Sequence, residues 1–244
     1  MAGGANKKFI ETGPKFLRRN VVLSPNPQSY LIGKAGAQNI AASNVSLIGI
    51  YDFDLRKDPG SVYRDTAGKR VDVYKLYLME QRVAHNLAAP KDKSRSIRAF
   101  YLPWDNGRGW TVQLDDRADF MFTPTLDGCS VVAESGQNPR VSHINFQNHT
   151  GTRIDPNAID NHIAAVYGVG AKPGLRTLEK DDYSSDAEKA AGKQFTVTVV
   201  GFRDRVANTW NFYYQRQISR VVPDPSGIGS LVQNILQDRQ VPIV

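Results

Sequence analysis

The chain has 244 residues, a single cysteine, 9% aromatic residues and a formal charge of +7, which suits one folded domain with a sizeable core. It contains no run of eighteen apolar residues and no apolar stretch after its basic N-terminus, so neither a helical membrane span nor a secretory signal is expected; one thiol also excludes an internal disulfide. The charge is uneven, with Lys7, Lys8, Lys15, Arg18, Arg19 and Lys34 set against Glu11 alone in the first 39 residues. A basic segment on a nearly neutral body argues against a nucleic-acid protein, whose cations belong on a folded binding face. Residues 1–40 are therefore expected to be a basic, flexible extension, and residues 41–244 a single domain.

In chain order, "VSLIGIYDFD" (45–54) reads as a strand, rich in β-branched and aromatic residues. "VDVYKLYLMEQRVAHNLAA" (71–89) places Leu76, Met79, Val83 and Leu87 at helical spacing and predicts a helix with His85 on its polar side. Strands follow at 96–104, 110–114 and 118–125. Asp115, Asp116 and Asp119, interrupted by Arg117, read as a solvated turn rather than an acid-base pair. "SVVA", "ESGQNP" and "RVSHINF" (130–146) predict a hairpin. "GVGAKPG" (168–174) lacks the Lys-Ser/Thr of a phosphate loop and is expected to be mobile, residues 172–193 forming a lid. A short helix is expected in "SSDAEKAAG", capped by Ser184 or Ser185 and ended by Gly192. Strands 193–204 and 209–222 make a second hairpin through "RVAN", and Trp104, Trp110 and Trp210 are assigned to the core. The expected fold is α+β, a sandwich of mixed, largely antiparallel β-sheets with peripheral helices.

The lone Cys129 lies fourteen residues before His143. A hairpin turn centred near Gly136 would set the two directly opposite each other on one face, with Cβ atoms about 4.5–5.5 Å apart, although a one-residue slip would separate them. An adjacent imidazolium lowers a thiol pKa and the same histidine protonates a leaving group. Gly128 leaves room for close backbone approach, and the N–H groups of Gly128 and Cys129 are candidates for an oxyanion site. The bland alternative is a buried cysteine serving as a small apolar filler. His149 and His162 lack metal-ligand spacing, and no metal ion or cofactor is expected.

The order Thr123, Leu126, Asp127, Gly128, Cys129 and then a strand-borne His143 resembles the Thr, Leu-Ser-Gly-Cys and His arrangement of the cytotoxic necrotizing factor family of glutamine deamidase toxins, especially its single-domain, lethal-factor-like members. The resemblance implies a single catalytic domain over residues 41–244, with Cys129 as nucleophile, His143 as base and acid, and Thr123 orienting the histidine. It implies a bacterial virulence effector that deamidates a glutamine of a host protein, a translation initiation helicase or a small GTPase. Inhibited translation or a modified GTPase would be the outcome. Such a protein would be a monomer made in a bacterial cytoplasm, exported without a cleaved signal peptide and active in the target-cell cytosol. Asp127 stands where the family has Ser, and a carboxylate beside a thiol tends to raise its pKa, so altered activity is implied. A catalytically decayed binding protein on the same scaffold, docking an acidic partner through its basic segment, is the alternative from another class. Thiol chemistry on peptide bonds or small amides is a third.

Overall fold

The computed structural model describes residues 3–25, 48–79, 96–146, 155, 157–223 and 230–243. The chain opens with helix α1, Gly3–Arg19, because Asn6, Phe9, Gly13, Phe16 and Leu17 recur on one face and are buried there while Lys7, Lys8, Lys15, Arg18 and Arg19 point outward. Gly13 lets the helix lie directly on a strand, since a Cβ there would sit 2.2 Å from a ring carbon of Phe202. Strand β1, Asn20–Leu23, continues from α1 without a break. The basic segment is thus no loose extension over residues 3–23: its apolar stripe is part of the core, and only its charges are outside.

The other strands are β2 (Gly49–Lys57), β3 (Tyr63–Asp65), β4 (Arg70–Leu78), β5 (Ile97–Tyr101), β6 (Arg108–Gln113), β7 (Phe120–Phe122), β8 (Ser130–Ala133), β9 (Arg140–Asn145), β10 (Arg176–Leu178), β11 (Lys193–Asp204), β12 (Thr209–Pro223) and β13 (Ser230–Pro242). Nine form a mixed sheet in the order β1-β4-β2-β5-β7-β11-β12-β13-β3, and β3 also pairs with β4, so the pairings return on themselves. The pairs β1–β4, β5–β7 and β13–β3 are parallel and the rest antiparallel. The remaining four make a smaller antiparallel sheet, β10-β8-β9-β6.

The largest apolar cluster lies between the two sheets, where Val131, Ala133, Val141, Trp110 and Val112 of the small sheet meet Phe100, Met121, Val197, Val199, Trp210 and Phe212 of the large one. On the other side of the large sheet, α1 contributes Phe9, Phe16 and Leu17 to a cluster with Phe53, Phe122 and Phe202. Helix α2, Ala158–Tyr167, covers the outer side of the small sheet with Ile159 and Ile163 against Val132 and Ile144. This is the α+β sandwich expected from composition and strand patterning.

Where a helix was expected from residue 71, residues 71–78 continue strand β4. Its even-numbered Leu76 and Leu78 face the α1 cluster and its odd-numbered Val71 and Val73 face another, so two buried faces imitate a helical stripe. Val83, His85 and Leu87 lie outside the described residues. The expected mobile lid is also folded: β10 pairs with β8, helix α3 spans Lys180–Tyr183 and buries Tyr183, and helix α4 spans Asp186–Ala190. Ser185 Oγ accepts the Glu188 N–H at 3.3 Å as its N-cap.

Candidate functional site

The hairpin β8–β9 pairs Val131 with His143 and Ser130 with Ile144, so Cys129 and His143 are not directly opposite as the Gly136-centred turn predicts. The loop closes between Glu134 and Arg140: Glu134 N–H donates to Arg140 O at 3.0 Å, Arg140 N–H donates to the Glu134 carboxylate at 2.7 Å, and the two side chains form an ion pair. That fastening centres the turn one residue later. Because the offset along the strand is two residues, the side-chain parity survives. Cys129, Val131, Ala133 and Val141 all face the inter-sheet cluster, and by alternation His143 shares that side, between Val131 and Trp110. Cys129 and His143 are diagonal neighbours.

Thr123, one residue past β7 in the large sheet, reaches across to the small one: its Oγ1 lies 2.5 Å from His143 Nδ1. His143 is 1% exposed, and its Nε2 has no hydrogen-bond partner. Burial drives the imidazole pKa down to about 3, because a charged ring would lose its hydration without a counter-charge. The histidine is neutral at physiological pH.

Cys129 is 2% exposed, and the first cause of its raised pKa, about 11, is again burial. The Asp127 carboxylate adds a smaller upward push, while the Trp104 side chain and the Asp127 backbone N–H oppose it. Trp104 Nε1–H donates to Cys129 Sγ at 2.9 Å. The turn before the thiol depends on Gly128, whose φ of 87° is costly for any residue with a Cβ. Its N–H is engaged: it donates to Tyr183 Oη at 2.9 Å, and Tyr183 O–H donates to Cys129 O at 2.8 Å. The Gly128 half of the expected oxyanion site is therefore occupied by a tyrosine clamp. Leu126 is fully buried and pairs with Val197 of β11, and Asp127 is exposed.

A cavity of about 330 Å³ opens onto Cys129 and is lined by Trp104, Pro124, Thr125, Asp127, Ser24 and Pro25, a size suited to a side-chain-sized ligand. A larger cleft of about 620 Å³ lies between α1 and strands β7 and β11, lined by Lys15, Asp119, Phe120, Phe202 and Arg203. It holds no nucleophile paired with a base, so chemistry rather than volume favours the Cys129 side. His162 sits half-buried on α2, its Nε2 3.3 Å from Ser142 Oγ; His149 and His85 lie outside the described residues. Among the described residues no three His, Cys, Asp or Glu side chains cluster as metal ligands, and no helix is long and apolar enough to cross a membrane. Trp104 and Tyr183 are site residues that sequence reasoning places elsewhere, in the core and in a lid. They touch Cys129 from 25 and 54 residues away, with no local pattern to mark them.

Compared with models of protein families and with curated proteins, the chain matches none.

Proposed function

We propose that the chain is a cysteine-dependent protein-glutamine deamidase. The observation that carries this reading is the Thr123 Oγ1 contact to His143 Nδ1 at 2.5 Å, which leaves Nε2 without a partner on the face that Cys129 shares. The reading takes the tautomer in which Nδ1–H donates to Thr123 Oγ1, because only that one leaves an Nε2 lone pair to accept a proton. Cys129 loses its proton to Nε2, and Sγ attacks the glutamine carboxamide carbon. The C–N bond then breaks, ammonia leaves with the proton that His143 returns, and a thioester remains. Water hydrolyses it to glutamate and restores the thiol; a primary amine in place of water would give a transamidated product. The change turns an amide that donates and accepts hydrogen bonds into an acceptor-only anion, enough to disable a host helicase or GTPase that relies on that glutamine. Action in a target-cell cytosol after export belongs to the same proposal.

The test is to incubate candidate host proteins with wild type and with Cys129→Ser and to map glutamine-to-glutamate conversion by mass spectrometry. Conversion by wild type alone is expected, and equal outcomes from both proteins would sink the reading. The deep burial of Cys129 favours a second reading, a binding protein whose site has lost its chemistry, in which the outward cations of α1 dock an acidic partner. In that case wild type converts no candidate and Cys129→Ser binds as well as wild type does.

A further inference from the structure

This inference rests on the reading of Cys129 as the nucleophile. We propose that the Trp104 indole N–H, and not the imidazole, is the hydrogen-bond donor that holds the Cys129 thiolate, which makes Trp104 a catalytic residue of the site. The indole nitrogen lies 2.9 Å from Sγ, whereas His143 spends Nδ1 on Thr123 and its Nε2 makes no hydrogen bond. The two rings therefore divide the work. Neutral imidazole Nε2 offers a lone pair and takes the thiol proton, while the indole can only donate and stays a donor at every working pH.

The position of Trp104 agrees with this role. Trp110 and Trp210 sit inside β6 and β12, but Trp104 lies on the connection between β5 and β6 and lines the cavity that opens onto the sulfur. Its N–H edge is thus turned to the sulfur that the cavity reaches. Lys180 favours the thiolate less than the Trp104 side chain does, and a buried thiolate depends on N–H donors. Of the groups acting on this sulfur, the Trp104 side chain is the largest that favours the anion.

The test uses full-length protein and the rate of iodoacetamide labelling as a function of pH, which requires no substrate protein. Trp104→Phe keeps a ring and removes the N–H; Trp104→His restores a ring N–H; thermal unfolding verifies that both variants fold. The expected result is an apparent thiol pKa about one unit higher in Trp104→Phe, with labelling roughly tenfold slower below that pKa, and partial recovery in Trp104→His. A tryptophan that merely covers the thiol predicts the opposite sign, so labelling as fast or faster in Trp104→Phe overturns the proposal. A wild-type thiol unlabelled at any pH overturns it as well. Deamidation is followed in parallel: the expected labelling shift without deamidation would sink the deamidase reading and leave the indole–thiolate bond standing, and deamidation with an unshifted thiol would do the reverse.

Discussion

Thr123 holds His143 through Nδ1 and fixes the orientation of the ring; the proposed chemistry uses the tautomer in which Nδ1–H donates to the hydroxyl. Thr123→Val keeps the shape and removes the hydroxyl, leaving a buried Nδ1–H without an acceptor. Such an orphan costs about 1–3 kcal/mol, so glutamine conversion is expected to fall roughly 10- to 100-fold, with Thr123→Ser retaining most of it. Protonation gives an independent check. The folded His143 pKa is lowered to about 3 from 6.5, so the unfolded chain binds the proton first as pH drops. The stability difference between wild type and His143→Gln is fully present above pH 6.5 and is lost progressively toward pH 3. Cys129 works at the other end: its pKa is raised from 9.0 to about 11, so the unfolded thiol ionises first and stability is lost as pH rises through that window. The difference in denaturant midpoint between wild type and Cys129→Ser, measured from pH 7 to 11, should be constant below pH 9 and move against wild type from there toward pH 11. The sequence order made the Thr123–His143 contact legible, whereas no hydrogen bond joins Cys129 to His143, whose Nε2 is without a partner. Trp104 and Tyr183 were not legible, because hydrogen bonds between residues far apart in the chain leave no spacing to read.

Among the elements, the hairpins at 130–145 and 193–223 were legible because alternating apolar residues flank turn residues. The register of the first was not, since it is set by the Glu134–Arg140 pair across the loop and not by Gly136, which lies one residue before its centre. The helix expected from residue 71 failed for a related reason: a strand buried on both faces loses its period of two. Helix α1 depends on a residue nearly two hundred positions away. Gln215 on β12 accepts the Val22 N–H at 2.9 Å and donates to Leu17 O and Asn20 O, each at 2.7 Å, filling the backbone groups where helix passes into strand. Gln215→Ala is expected to cost about 2–3 kcal/mol, from the buried groups left unsatisfied, measured by denaturant unfolding.

At the scale of the whole molecule, the two sheets, α1 and the site form one packed body, and the basic N-terminal segment cannot be trimmed away from it. Phe9, Phe16, Leu17, Val21 and Val22 are each 4% exposed or less. Burying each is worth about 1.5–3 kcal/mol, together comparable with the 5–15 kcal/mol net stability of a typical domain. Deleting residues 1–23 should therefore abolish the near-ultraviolet dichroism of packed aromatic rings instead of yielding a shortened active core. Charge made the segment look peripheral because a composition count does not distinguish the two sides of a helix. Thr123 is supplied by the large sheet and His143 by the small one, and Cys129 stands on the connection between them. No local fragment holds the three together, so their chemistry exists only after both sheets have closed on each other. On the proposed reading, a chain in which the two sheets have not met would hold the three residues apart and be inactive, so folding itself would switch the chemistry on.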